Sequence, residues 1–275
     1  MDAPLPTEKH LKRRKLWRRL GMLLGGILLG LYGAFLWQPY EFDLIKRKLP
    51  ANNPPVSPDV DRLFAKDTKV LLITAHPDDS EYYIGSFLTK LGETAKIHQV
   101  IISDGDKGYY GPLTNAAENR VTRRLEAQNA SKAWRGQGVE FLGRPDARIT
   151  VDDATIAAVK QAIERLQPDY ILAFDSDYPP RLSHRDHRRA GVISMAAARA
   201  TGRPMWCLLF STMAPNYGFD SSELWPQKQK LLAIHASQFG TKLDRIVQSV
   251  GDQGRSTGKR FGVAMAEGFR CVQLK

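Results

Sequence analysis

The chain has 275 residues, a formal net charge of +11, 43% hydrophobic residues and two cysteines. Its apolar content excludes a disordered or collagen-like chain, and two cysteines exclude a disulfide-dense scaffold or a Cys₄ zinc module. The basic surplus is uneven, because residues 1–48 carry ten Lys and Arg against four Asp and Glu. The rest of the chain is therefore only mildly basic, which does not predict a nucleic-acid partner.

Residues 20–40 form a run of 21 positions without a charge. A helix of that length crosses a hydrocarbon core of about 30 Å, and Trp17, Trp37 and Tyr40 flank the run as interfacial aromatics do. Seven Lys and Arg precede it, which favours a cytoplasmic N-terminus and a domain outside the cytoplasm. The alternatives are a cleaved signal peptide, although no convincing cleavage site follows, and a buried core helix.

Four prolines within residues 50–58 predict a stiff, extended spacer. The predicted organisation is a basic cytoplasmic tail over residues 1–19, a transmembrane helix over 20–40, a Pro-rich linker over 41–66 and one folded domain over 67–275.

The domain alternates predicted strands and helices. The strands are expected at 69–75, 97–103, 139–142, 170–174, 205–211 and 269–274, and the helices at 81–92, 115–135, 152–167, 186–200 and 226–239. This pattern predicts an α/β fold with a Rossmann-like, mostly parallel sheet and helices on both faces. The strand C-termini then share one edge, where ligands bind.

His76-Pro77-Asp78-Asp79 follows the first strand. Imidazole and carboxylate groups are good ligands for zinc, and neighbouring residues in a turn point in different directions. One aspartate can therefore bind a metal while the other faces a metal-bound water. Helix capping by Asp78 or Asp79 is the alternative.

His184-Arg185-Asp186-His187 follows the fourth strand, at the same edge. A solvated loop, or Asp186 as a helix cap, is again the alternative. Together with the first motif, His187 completes a set of three metal ligands with His76 and Asp79, which leaves a fourth position for water.

The remaining polar residues of the two motifs suit acid–base work. Asp78 can take a proton from the water, and His184 can polarise or protonate the substrate. Asp186 would fix the tautomer of His184.

The two motifs, in this order, resemble those of the PIG-L/LmbE family of zinc-dependent N-acetylglucosamine deacetylases. The resemblance covers roughly residues 69–273, and weaker matches lie at residues 103–108, 123–126, 141–148 and 235–238. It implies a zinc ion, with Fe²⁺ as another option, bound by His76, Asp79 and His187. It also implies the following roles for other residues: Asp78 as general base, His184 as electrophile or general acid, Asp186 as its orienting partner, and Arg123 and Asp106 as substrate contacts.

Some positions depart from the family pattern. Ser80 intervenes before Glu81, and Asp106 replaces the usual Glu. Tyr82 and Tyr83, with two further tyrosines at 109 and 110, are either stacking surfaces for a sugar or packing residues. Cys207 and Cys271 are expected to be free, buried thiols.

The sequence thus predicts a membrane-anchored deacetylase of an N-acetylglucosamine-containing glycan, glycolipid or glycoside, with a lipid-linked or phosphorylated sugar as one option. A metal hydrolase of another amide or ester and a non-catalytic anchored sugar-binding module are the alternatives. The retained Asp78 argues against the second, because a binding module needs no base. A cytosolic catalytic domain, as in eukaryotic relatives, stays open, and so does the oligomeric state.

Overall fold

A computed structural model describes residues 58–108, 115–178 and 184–274, together with Trp17, Met22 and Gly26. The chain divides into two compact units, Met1–Pro50 and Ala51–Lys275. The predicted transmembrane helix lies outside the described residues, apart from Met22 and Gly26. Within the part of the chain that is described, no helix combines the length and the apolar character needed to cross a membrane.

Among the described residues of the second unit, seven strands form one sheet in the order β3-β2-β1-β4-β5-β7-β6. Strands β1 to β5 are parallel to their neighbours, whereas β7 runs antiparallel to both β5 and β6. The strands are β1 (Lys69–Thr74), β2 (Lys96–Ser103), β3 (Gly138–Arg144), β4 (Tyr170–Phe174), β5 (Met205–Phe210), β6 (Tyr217–Asp220) and β7 (Ala266–Leu274).

Helices cover both faces of the sheet, as predicted. Every residue of β4 and all but the first of β1 are buried, which requires cover on both sides. One layer pairs α3 with α4, and in another α5 packs against α1 and α2. The helices are α1 (Asp79–Leu91), α2 (Ala116–Ala133), α3 (Asp153–Leu166), α4 (Arg185–Ala200), α5 (Trp225–Ile234), α6 (Ala236–Phe239) and α7 (Leu243–Phe261).

The strand order reverses between β1 and β4. From β1 the chain builds outward through β2 and β3, and it then returns to β4 on the other side of β1. The loops after β1 and β4 therefore diverge and leave a crevice at the C-terminal edge of the sheet. Both predicted motifs follow these two strands, so the topology brings them together.

The folded unit begins earlier than predicted. A 3₁₀ helix over Pro58–Phe64 places Val60 and Leu63 in the main core, so the end of the predicted linker belongs to the domain. The predicted helix over 226–239 is interrupted at His235, where α5 ends and α6 begins.

Two elements were not predicted. The edge strand β6 has only four residues. Helix α7 contains Gly251, Gly254 and Gly258, which lower helix propensity. Packing explains at least the last of them, because a Cβ at Gly258 would lie 2.6 Å from the carbonyl oxygen of Val263.

Candidate active site

Asp79 is the centre of the turn after β1. Its Oδ2 accepts hydrogen bonds from the backbone N–H groups of Ala75 and His76, at 3.0 and 2.7 Å. Its Oδ1 lies 3.0 Å from Nε2 of His187, across the crevice. The carboxylate therefore stabilises its own turn and links the two motifs through His187. It does not cap helix α1. Burial alone raises the pKa of Asp79, but His187 and His76 lower it far below its ordinary value.

Asp78 occupies the N-cap position of α1 without making a side-chain cap hydrogen bond. Its Oδ1 instead accepts a hydrogen bond from Nη2 of Arg123 at 2.8 Å. The buried Arg123 guanidinium also donates through Nη1 to the carbonyl of Gly105 at 2.6 Å. Gly105 has φ +67°, and a Cβ there would lie 2.2 Å from Arg123 Nη1. A glycine thus makes room for the arginine that holds Asp78.

His184, rather than Asp186, is the N-cap of α4. Its Nδ1 accepts the backbone N–H of Asp186 at 3.3 Å, so Nδ1 is unprotonated and Nε2 carries the proton of the neutral ring. Partial burial lowers the pKa of His184, and the nearby His76 and His187 lower it further. Asp186 therefore orients His184 through its main chain, not through its carboxylate as the sequence suggested.

The carboxylate of Asp186 faces His76 instead. Its Oδ2 lies 3.7 Å from His76 Nε2, and Oδ1 of Asp146 lies 3.2 Å from the same nitrogen. The other ring nitrogen, Nδ1, lies 3.6 Å from Oδ2 of Asp79. Burial lowers the pKa of His76, but these three carboxylates outweigh it and raise the pKa well above its ordinary value.

Asp146 was absent from the predicted site residues. Its Oδ2 accepts the backbone N–H of Lys107 at 2.8 Å, and its Oδ1 accepts that of Ala147 at 2.6 Å. Arg185 and Arg189 donate to the carbonyls of Ala147 and Ile149, which ties this loop to α4. The match of residues 141–148 to the family pattern was the signal that could have identified Asp146.

The donor atoms fit a divalent metal ion. Ligand atoms of His76, His184 and His187 lie within 4.8 Å of one another, as do those of His76, Asp146 and Asp186. In the predicted set, Asp79 faces His76 through Oδ2 at 3.6 Å and His187 through Oδ1 at 3.0 Å. Ligands of a tetrahedral zinc at about 2.0–2.1 Å would lie roughly 3.3 Å apart. These two pairs therefore have the donor types and spacing that zinc takes, although Asp79 belongs to neither of the two groups above.

Aromatic side chains hold His187 in place. The ring of Phe174 stacks on it at 4.3 Å with an interplanar angle of 8°. The hydroxyl of Tyr83 lies 3.5 Å from Nδ1 of His187, and the Tyr83 ring also packs against Phe174 and Phe210. Burial raises the pKa of Tyr83 far above its ordinary value. Tyr83 is therefore a packing residue beside a predicted ligand.

These residues surround a pocket of about 380 Å³. Five residues of the two motifs line it, namely His76, Asp78, Asp79, His184 and His187. Arg123, Asp146, Tyr82, Gln238 and Phe239 line it as well. Asp106 does not line it, because its carboxylate forms an ion pair with Arg120 at 2.8 Å. Of the two predicted substrate contacts, the structure places Arg123 at the pocket and Asp106 away from it. Tyr109 and Tyr110 lie outside the described residues.

A buried ion pair supports a break in α1. Ile84 has non-helical dihedral angles, and the backbone N–H groups of Ser86 and Phe87 donate to the carboxylate of Glu267. Nζ of Lys228 lies 2.6 Å from Glu267 Oε1 and also donates to the carbonyl of Tyr83 at 3.1 Å. The Glu267 carboxylate thus accepts backbone N–H groups next to the kink at Ile84, where regular helical hydrogen bonding is interrupted.

A buried polar network occupies the space next to Ser80 and Glu81. Trp134 Nε1 and His235 Nε2 lie 2.8 Å from the Glu81 carboxylate. Ser80 Oγ donates to the same carboxylate and accepts from Gln99 Nε2. The departure from the family pattern therefore leaves Glu81 buried and hydrogen-bonded, away from the predicted metal ligands.

The fold and the pocket define an α/β protein with a candidate metal-binding site at the switch point of its sheet. The PIG-L family model, described as GlcNAc-PI de-N-acetylase, matches residues 71–198. The chain contains a PIG-L domain, and the family suggested by the two motifs is confirmed.

Individual proteins are similar to this chain in sequence or in fold. The chain is 23% identical over 222 residues to a diacetylchitobiose deacetylase of Thermococcus kodakarensis, covering 74% of this chain and 83% of that protein. The fold of this chain resembles that of an N,N'-diacetylchitobiose deacetylase from Pyrococcus horikoshii, with a TM-score of 0.68 and 24% identity. The match covers 78% of this chain and 87% of that chain. The fold also resembles that of GalB, a 4-carboxy-2-hydroxymuconate hydratase from Pseudomonas putida KT2440, with a TM-score of 0.63, 20% identity and coverage of 76% and 97%.

Proposed function

We propose that this protein is a metal-dependent hydrolase that removes the N-acetyl group from an N-acetylglucosamine-containing substrate. The observation that carries the proposal is the position of Asp78, whose carboxylate makes no cap hydrogen bond and lines a pocket beside His76, Asp79 and His187. A carboxylate next to a set of metal ligands is what amide hydrolysis needs as its base. Relatives named as deacetylases of N-acetylglucosamine-type substrates support this reading.

In this proposal His76, Asp79 and His187 hold the ion, zinc or another divalent metal such as Fe²⁺. When bound, such an ion lowers the pKa of a water toward about 7 and polarises the amide carbonyl. Asp78 takes a proton from the attacking water, while Nε2–H of His184 donates a hydrogen bond to the developing oxyanion. Asp78 then returns its proton to the leaving nitrogen, the C–N bond breaks, and acetate and a free amine result.

The sugar would lie against Tyr82, which is partly exposed on the pocket wall and packs against Phe239 at 6.4 Å between ring centroids. An aromatic face of this kind suits the apolar face of a pyranose ring. A glycan, a glycolipid or a glycoside can present that ring, with or without a phosphate or a lipid. Lys107 at the rim of the pocket is compatible with an anionic substrate.

We also propose that residues 20–40 anchor the enzyme in a membrane, with the N-terminus in the cytoplasm and the catalytic domain outside it. The uncharged run and the basic residues before it support this proposal. Alkaline extraction of cell membranes, followed by protease protection of the domain, tests both parts. Release of the protein by alkaline extraction would contradict the anchor. A catalytic domain that resists protease added outside intact cells would contradict the proposed topology.

Acetate release by the purified full-length chain tests the activity. The substrates would be a panel of N-acetylglucosamine compounds, with parallel reactions containing a chelator and with metal restored afterwards. The proposal expects release that stops with the chelator and returns with the metal. A folded, metal-loaded protein that releases no acetate would favour another amide or ester, since a fold alone does not select a reaction. A chain that binds sugar but no metal would support the binding module.

A further inference from the structure

We propose that Asp146 is a positioning residue that accepts the Nε2–H of His76 and so turns Nδ1 of His76 toward Asp79 and the metal. This inference rests on the proposed metal site. It matters because the described residues offer two candidate cation positions that share His76, one with other histidines and one with Asp146 and Asp186.

The two nitrogens of His76 face different partners. Nδ1 lies on the side of Asp79, at 3.6 Å, whereas Nε2 lies 3.2 Å from Asp146 and 3.7 Å from Asp186. A metal-bound imidazole presents one nitrogen to the ion and donates its other N–H to an acceptor, commonly a carboxylate. The ring of His76 therefore binds metal on one side only, and the opposite side must hold an acceptor.

Asp146 is built as that acceptor. Two backbone amides, from Lys107 and Ala147, fix its carboxylate, and the loop that carries it is tied to α4 by Arg185 and Arg189. The side chain of Asp146 is 8% exposed. At 3.2 Å its Oδ1 is close enough to accept the Nε2–H of His76, whereas 3.7 Å to Asp186 is too long for a hydrogen bond.

The Nδ1 side of His76 has the better set of metal ligands. Asp79 lies there with Oδ2 at 3.6 Å from Nδ1, and its other oxygen, Oδ1, is 3.0 Å from His187 Nε2. Imidazole and carboxylate groups together form a common zinc set. Neither oxygen of the fully buried Asp186 has a hydrogen-bond partner among the described residues. Its Oδ2 lies 3.7 Å from Nε2 of His76, on the side of the ring that Asp146 occupies, and this second carboxylate also favours the Nε2-protonated ring.

The tautomer of His76 is a direct test. Two-bond ¹H–¹⁵N spectra of the ¹⁵N-histidine-labelled, zinc-loaded full chain distinguish the two ring nitrogens, and the His76→Gln spectrum assigns the signals. The proposal expects a proton on Nε2 and zinc on Nδ1. A proton on Nδ1 and zinc on Nε2 would overturn it and place the metal with Asp146 and Asp186. Failure to bind zinc would overturn both this inference and the metal site. An Nε2–H in a protein without deacetylase activity would contradict only the proposed function.

Zinc affinity, measured by competition with a chromophoric chelator, provides the second test. We expect Asp146→Asn to weaken zinc binding about 10–100-fold. Asp104→Asn is the matched control, because the Asp104 side chain is similarly buried, at 7% exposure, but pairs with Arg124 instead of His76. Unchanged zinc affinity in Asp146→Asn, or an equal loss in Asp104→Asn, would overturn the positioning role.

Discussion

Arg123 joins Asp78 to the loop after β2. Its Nη2 donates to Asp78 Oδ1 at 2.8 Å, while Nη1 of the same guanidinium donates to the carbonyl of Gly105 at 2.6 Å. Only a planar, forked cation makes both bonds at once. Arg123 therefore holds the proposed base at a fixed distance from the rest of the pocket.

This geometry predicts the effect of Arg123→Lys. The lysine keeps the charge but cannot make both hydrogen bonds, so Asp78 loses its fixed orientation. We expect kcat for acetate release to fall about 10–100-fold, since misplacement of a catalytic group by 1 Å costs up to about 10². Arg124→Lys is the matched control, because Arg124 lies next in the same helix and pairs with Asp104. Similar losses in the two variants would contradict a specific role for Arg123.

Tyr82→Ala tests the proposed sugar wall. Loss of an aromatic face worth about 0.5–1.5 kcal/mol should raise KM about 2–13-fold for an N-acetylglucosamine substrate, with little change in kcat. Tyr82→Phe keeps the ring and should keep KM. If Tyr82→Ala left KM unchanged, Tyr82 would be a packing residue, like Tyr83.

The buried pair of Lys228 and Glu267 predicts a stability effect. Glu267→Gln leaves the lysine charge buried without its partner, at a cost of about 3–5 kcal/mol. We expect urea unfolding to show that loss, and the double variant with Lys228→Met to recover part of it. A loss below about 1 kcal/mol in Glu267→Gln would show that the break in α1 does not depend on this pair.

The two cysteines should not form a disulfide. Cys207 is opposite Val272, and Cys271 is opposite Leu208, in the antiparallel pair of β5 and β7. Because successive side chains alternate between the two faces of a sheet, the two thiols point to opposite faces. Burial also raises the pKa of Cys207 and that of Cys271 to about 12.

We therefore expect both thiols to be unreactive toward a thiol reagent in the native protein and to react after unfolding. Intact mass measured without reductant should show two free thiols. A mass lower by two hydrogens, or rapid labelling of the native protein, would contradict the packing of β5 against β7.

Alternating strand and helix patterns predicted the core of the sheet, because β1 and β4 are continuous apolar runs that local sequence reveals. The same patterns placed both motifs at one edge, since parallel strands impose that direction. Helix α7 was not predicted, because its glycines lower helix propensity. Gly258 is needed for a close contact with the main chain at Val263, and a local sequence pattern does not reveal such a contact.

The site was predicted in its residue types more than in its contacts. His76, Asp79, His187, Asp78 and His184 do come together in the pocket. The partners of Asp186 and Asp106 were not predictable, because each is set by a residue distant in sequence or by main-chain geometry. Asp186 contacts His76 from the other motif, and Asp106 forms an ion pair with Arg120 on the next helix.

The central claim is that Asp78 acts as the base beside an intact metal site. The most direct measurement compares acetate release and bound zinc in the wild-type chain and in Asp78→Asn. We expect zinc bound at the same stoichiometry in both, with acetate release by the variant lower by about 10²–10⁴. An Asp78→Asn protein that releases acetate at the wild-type rate would contradict the account, and so would one whose loss of activity is explained entirely by loss of zinc.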